Sequence, residues 1–124
     1  MSVAGGVDRA VDRAAAVDCR TLQIFTKNAS QWVGPPISPA TSELFRAKVA
    51  ASGITPVVSH DSYLINLASP DQALRQKSLA AFRDELERAE QLGLMGVVTH
   101  PGAHVGTGDA AGLDRVGAAI AVEI

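Results

Sequence analysis

Two segments of this chain, Gly53-Ile54-Thr55-Pro56-Val57-Val58-Ser59-His60 and Gly93-Leu94-Met95-Gly96-Val97-Val98-Thr99-His100, follow one pattern. Each reads glycine, aliphatic residue, two variable positions, Val-Val, a hydroxyl residue and histidine, and the second lies 40 residues after the first, His100 against His60. That interval holds one strand, one helix and their loops. A short apolar run bounded by turn residues reads as a buried strand, so each histidine closes a strand. A weaker third copy, Leu22 to Phe25, ends at Thr26-Lys27 with a helix between it and His60. Successive strand-helix units require a parallel sheet with right-handed crossovers and bring their strand ends to one rim, where α/β folds place their chemistry.

The helices between these strands carry their own signals. Val7, Ala10, Val11, Ala14 and Ala15 recur at helical spacing with Asp8, Arg9, Asp12 and Arg13 between them. Ser38-Pro39 predicts a helix start, with Leu44, Phe45, Ala47 and Val49 as the apolar face up to Ala51 and Gly53 as the stop. A second Ser-Pro pair, Ser69-Pro70, predicts a long helix that ends at Gly93. Its stripe is Leu79, Phe82, Leu86 and Ala89, with Asp84 and Arg88 paired at i, i+4 on the outside. After His100-Pro101-Gly102 and a Gly-rich loop, Leu113, Val116 and Ile120 predict a last helix.

The first helix has no strand before it and the last has none after it. The expected architecture is α/β, three strands in an open parallel sheet, and three strands do not close a barrel, which needs eight and about 250 residues. Residues 1–124 are therefore read either as a small open sheet or as one incomplete domain, a fragment of something larger, which the apolar ending Ile120 to Ile124 favours.

Composition narrows the functional classes. The charges nearly balance, 11 basic against 13 acidic, so no global positive field marks a nucleic-acid binder, although a metal or a local patch can still hold phosphates. One cysteine, Cys19, rules out an internal disulfide and reads as a semi-buried spacer, and no stretch is apolar enough to span a bilayer. A soluble, cytoplasmic protein without membrane association is expected.

His60 and His100 in matching slots are the first chemical candidates, because imidazoles on rigid strand ends suit zinc and similar metals. The plainer alternative, a packed histidine with a satisfied hydrogen bond, weakens when two of only three histidines share one register. Asp61 and Ser62 are either orienting partners of a ring or turn caps. His104 is expected in a loop role beyond the Pro-Gly turn. Tyr63 and Leu64 on one rim loop could wedge into or stack on a nucleic acid, with Lys27, Asn28 and Gln31 meeting phosphates. Against this, Tyr63, Leu64, Ile65 and Leu67 could simply anchor the loop while Trp32 caps a helix.

The segments GGVDRAVDRAA, LQIFTKNASQW, HDSYLINLASP, KSLAAFRDELERAEQLG and HPGAHVG, in that order, resemble the first half of the endonuclease IV family, also called family 2 apurinic/apyrimidinic endonucleases or deoxyribonuclease IV. The resemblance covers essentially the whole chain. It implies that residues 1–124 are an N-terminal fragment, about three parallel βα units of an eight-fold TIM barrel without its first strand and second half, and that the complete protein is monomeric with three zinc ions at the carboxyl rim. The implied activity is cleavage of double-stranded DNA 5′ to abasic sites in base-excision repair. His60 and His100 match two ligands of one zinc, Tyr63 and Leu64 match the loop inserted at the lesion, and Gln31 lies in a DNA-contacting loop. Ser30 departs from the basic residue that relatives often carry there, and the remaining metal ligands belong to the second half, so this chain alone is expected to be inactive. Two alternatives stay open at this stage: a metal-dependent TIM-barrel sugar isomerase or epimerase, and a non-catalytic interaction fragment.

Overall fold

A computed structural model describes residues 1–123. The elements run α1 (Val7–Ala15), β1 (Leu22–Ile24), α2 (Pro39–Ser52), β2 (Val57–His60), α3 (Gln72–Leu92), β3 (Val97–Val98) and α4 (Asp109–Glu123). The strands form one parallel sheet in the order β1-β2-β3. This open three-stranded βα array is the arrangement of a partial barrel. Among the described residues no helix is long and apolar enough to cross a membrane.

Register follows from the period-2 alternation of strands. Leu22 pairs with Val57 and Ile24 with Ser59, so these side chains share one face. Leu22, Ile24 and Val57 pack there with Ala10, Val11 and Ala14 of α1, Phe45 of α2 and Leu92 of α3, a core sealed from water. Gln23, Val58, His60 and Val98 fall on the other face by the same alternation. That face is covered far less: Gln23 is exposed, Val58 half-buried, and Val98 41% exposed.

Most helix signals act as expected, and four do not. Ser38 caps α2 by accepting from the Thr41 N–H at 3.1 Å, Pro39 sits in the first turn, and Gly53 closes the helix at φ 69°. Leu44 and Ala47, however, face solvent, because neighbouring helical residues point about 100° apart and Phe45, fully buried with Val49 packed alongside, takes the core direction. The start of α3 lies at Asp71 rather than at Ser69-Pro70. The Asp71 carboxylate accepts from the Leu74 N–H at 2.8 Å, while Ser69 Oγ is used one step earlier on the Asp71 N–H. Leu113 is 64% exposed, and Gly112 and Ala119 take the buried side of α4.

The fourth correction is the Asp84–Arg88 pair. Arg88 is buried and reaches the β1–α2 loop, and Asp84 bonds Lys27 at 2.6 Å. Helical spacing shows which residues share a face, but not whether another element covers that face. At the opposite end of the sheet, Arg46 of α2 donates to the Glu90 and Gln91 carbonyls at 2.9 and 2.5 Å, closing the C-terminal turn of α3.

Candidate metal and nucleic-acid site

His60 ends β2 and His100 follows β3 by two residues, so parallel pairing of the strands carries both rings to the carboxyl rim. Their ring centroids lie 5.0 Å apart. His60 is buried and its Nδ1 is 2.9 Å from the Asp61 carbonyl oxygen. A carbonyl oxygen only accepts, so Nδ1 carries a proton, and of the two neutral tautomers this contact selects the one whose free lone pair is on Nε2. This is the arrangement in which an outer partner fixes the tautomer of a ligating imidazole. His100 is exposed, and among the described residues its ring has no such partner.

Asp61 builds the support beneath His60. It is 2% exposed, its N–H donates to the Val98 carbonyl at 3.0 Å, and Oδ2 accepts from the Thr99 hydroxyl at 2.5 Å. Burial pushes its carboxyl up from the ordinary value, with the Thr99 hydrogen bond opposing that shift. The hydroxyl position of the second repeat thus serves the loop that follows the first.

The next residues turn outward. Tyr63 is 63% exposed, with its ring edge-on to Phe25 at 5.4 Å and tilted against His60 at 5.5 Å. Leu64 is half-buried, whereas Ile65 and Leu67 are buried against Ala81 and Phe82 of α3. The anchor of this loop is therefore Ile65 and Leu67, and Tyr63 stands free of it. Asn66 ties the loop to the segment after His100, donating to the Ala103 carbonyl at 3.1 Å and accepting from the Ala103 N–H at 3.0 Å. Gly102, at φ 96°, lies so close to the Asn66 side chain that no Cβ fits there. A cavity of about 450 Å³ opens between the two loops, with Asp61, Tyr63, Asn66 and His100 in its lining. A larger one, about 690 Å³, lies at the far end of the strands around Phe45, Val49 and Leu92. It lacks convergent histidines, so size does not choose the site here.

The β1–α2 loop approaches the same rim. Ala29 offers its carbonyl to the Ser62 hydroxyl and to the Tyr63 N–H, each at 2.9 Å. Asn28 and Gln31 are exposed beside this junction, and Trp32 is half-buried with the Lys77 ammonium 4.5 Å from its ring centre. Trp32 packs on the second core cluster rather than capping a helix. Lys27 does not join the exposed group. Its side chain is 1% exposed, with the ammonium 3.1 Å from Glu85 and 2.6 Å from Asp84, so two carboxylates occupy the charge expected to meet a phosphate.

The donor set fits part of a transition-metal shell. Two imidazoles, one with its tautomer fixed by a carbonyl, are suitable zinc donors, but no group of three or more His, Cys, Asp or Glu side chains gathers among the described residues. His104 stays apart, bonded through Nδ1 to the Gly108 N–H at 3.1 Å and near Asp109 through Nε2 at 3.2 Å, in the loop role expected of it. Thr99, Asn66, Glu85 and Arg88 were not foreseen as parts of this rim. Only Thr99 had a signal, its place in the repeat.

Comparison with known proteins agrees with this geometry. Residues 11–121 match the family described as xylose isomerase-like TIM barrel. A Chloroflexus aurantiacus protein named probable endonuclease 4 is 54% identical over 120 residues, covering 97% of this chain and 42% of the relative. A Trichlorobacter lovleyi protein of the same name is 52% identical over 116 residues. The chain thus spans about two fifths of the length of these relatives. The crystal structure of endonuclease IV from Thermus thermophilus superposes with a TM-score of 0.84 at 39% identity, covering 99% of this chain and 45% of that one. A D-psicose 3-epimerase from Clostridium cellulolyticum shares the fold alone, with a TM-score of 0.65 at 21% identity. The chain belongs to the xylose isomerase-like TIM barrel family, and endonuclease IV is the resemblance that its sequence carries.

Proposed function

We propose that this chain is the N-terminal part of a zinc-dependent endonuclease that cleaves DNA 5′ to abasic sites. The observation that carries the reading is the pair of rim histidines, His60 and His100, 5.0 Å apart, directly beside the exposed ring of Tyr63. Metal donors and a protruding aromatic residue on adjoining loops suit a phosphodiester at a distorted duplex better than a small sugar. The names and identities of the bacterial relatives support the same choice.

In this reading His60 and His100 hold one zinc, which when bound supplies Lewis-acid stabilisation of charge on the phosphate. The Asp61 carbonyl holds a His60 proton on Nδ1 and so leaves Nε2 as the nitrogen that would hold the metal. Tyr63, with Leu64 behind it, fills the space left by the absent base, since a missing base is read by a wedge rather than by base-edge hydrogen bonds. Asn28 and Gln31 contact the sugar-phosphate backbone alongside.

A catalytic zinc takes three protein ligands, and among the described residues no group of three that could hold a metal stands beside His60 and His100. The 124-residue chain alone is therefore expected to bind zinc weakly and cleave nothing. The test compares it with a chimera in which it replaces the matching segment of the Chloroflexus aurantiacus relative, using a duplex with one abasic site and its intact counterpart. Zinc-dependent nicking of the abasic strand by the chimera alone is the expected result. A chimera that folds and binds zinc but shows no preference for the abasic duplex overturns the reading, and nicking by the chain alone overturns the expectation of inactivity.

A further inference from the structure

The buried charges of α3 take no part in the chemistry above, yet they converge on both stems of the β1–α2 loop. Arg88, 5% exposed, donates from Nε to Thr26 Oγ1 at 3.0 Å, from Nη2 to the Thr26 carbonyl at 2.7 Å, and from Nη1 to the Pro35 carbonyl at 2.9 Å. One guanidinium therefore bridges the beginning and the end of the loop. Glu85, 1% exposed, accepts from Thr26 Oγ1 at 2.8 Å and faces the Lys27 ammonium at 3.1 Å. The stems also touch directly, because a Cβ at Gly34 would lie 2.6 Å from Lys27 Cβ.

Lys27 meets two carboxylates, Asp84 and Glu85, the Thr26 hydroxyl links Arg88 to Glu85, and every Arg88 nitrogen has a partner. Such a buried network gains little net stability over apolar packing, because desolvation offsets the Coulomb attraction. What it supplies is fixed geometry, since a fully satisfied buried network admits one arrangement. The geometry it fixes leads to the rim. With the stems closed, the tip from Asn28 to Val33 projects, and the Ala29 carbonyl docks it on Ser62 and Tyr63.

We infer that Arg88, linked to Glu85 through the Thr26 hydroxyl, is a positioning residue that closes the 26–37 loop and sets Asn28 and Gln31 in register with Tyr63 for engagement of a damaged duplex. The duplex part of this inference rests on the endonuclease reading above, and the loop part rests on the hydrogen bonds alone.

The test uses the full-length protein and Arg88→Lys, which keeps the positive charge but cannot span Thr26 and Pro35 together. Ser62→Ala is the second variant, removing one of the two hydrogen bonds to the Ala29 carbonyl without touching a buried charge. Amide hydrogen exchange of the segment 26–37 is expected to speed up in Arg88→Lys while the rest of α3 keeps its protection. KM for abasic duplex is expected to rise about tenfold, with kcat changed less than twofold and zinc content unchanged. Ser62→Ala is expected to move exchange and KM the same way by a smaller factor. Unchanged exchange in 26–37 in both variants overturns the inference, as does faster exchange accompanied by a fall in kcat alone. A wild-type protein with no preference for abasic duplex overturns the proposed function instead, a result separable because the exchange measurement needs no DNA.

Discussion

His60 stands on the central strand and His100 just past the edge strand, and the difference between the two rings follows from that placement. β2 has neighbours on both sides, so His60 is enclosed by Phe25, Tyr63 and the His100 ring, and the Asp61 carbonyl fixes its proton. β3 pairs on one side only among the described residues, and His100 is exposed. Two segments with nearly the same residues thus yield one prepared donor and one unprepared donor. Identical local sequence sets the position of a side chain along a strand, while its freedom is set by what stands on either side.

The largest expected effect tests that asymmetry directly. In the full-length protein, His60→Ala is expected to weaken zinc binding by more than the roughly 10- to 100-fold typical of losing an orienting partner, and by more than His100→Ala does. Competition against a chromophoric chelator measures both, and an equal loss would show that preparation of the His60 ring contributes nothing. A smaller effect is expected for Thr99→Val, which strands the buried Asp61 carboxylate. Stability in urea is expected to fall by about 1–3 kcal/mol, with zinc affinity weakening because the support under His60 loosens. An unchanged unfolding midpoint would remove Asp61 and Thr99 from the account of that support. The smallest effect belongs to the hydroxyl of the other repeat. Among the described residues the buried Ser59 Oγ has no hydrogen-bond partner, so Ser59→Ala is expected to leave stability equal or raise it, by no more than about 1 kcal/mol. A clear loss in the same urea titration would mean that the two hydroxyl positions are more alike than their surroundings indicate.

The parts of this molecule legible in the sequence are those governed by periodicity and by repetition. The duplicated Val-Val-hydroxyl-His segments gave the parallel strands and put His60 and His100 at one rim, and Ser38-Pro39, Gly53 and Gly93 marked helix ends at the observed places. Ser69-Pro70 misled by two residues because Asp71 is also a strong cap and stands closer to the first helical turn. Charged residues were the least legible. Lys27, Asp84 and Arg88 carry the same local signals as solvated residues, and only the packing of α3 against the β1–α2 loop turns them inward. Tyr63 is the reverse case. Its spacing favours an anchor over a wedge, yet Tyr63 is exposed and the burial of Ile65 and Leu67 gives the anchoring part to those two.

Arg46 carries a consequence for how such a chain can change over generations. By holding the Glu90 and Gln91 carbonyls it bolts α2 to α3 at the end of the sheet remote from the histidines. The helix layer therefore keeps its footing independently of what the rim loops contain. Exchanges at exposed tip positions, such as Ser30, can alter what the rim presents at little cost to the scaffold, so the surface is free to vary while the foundation stays in place.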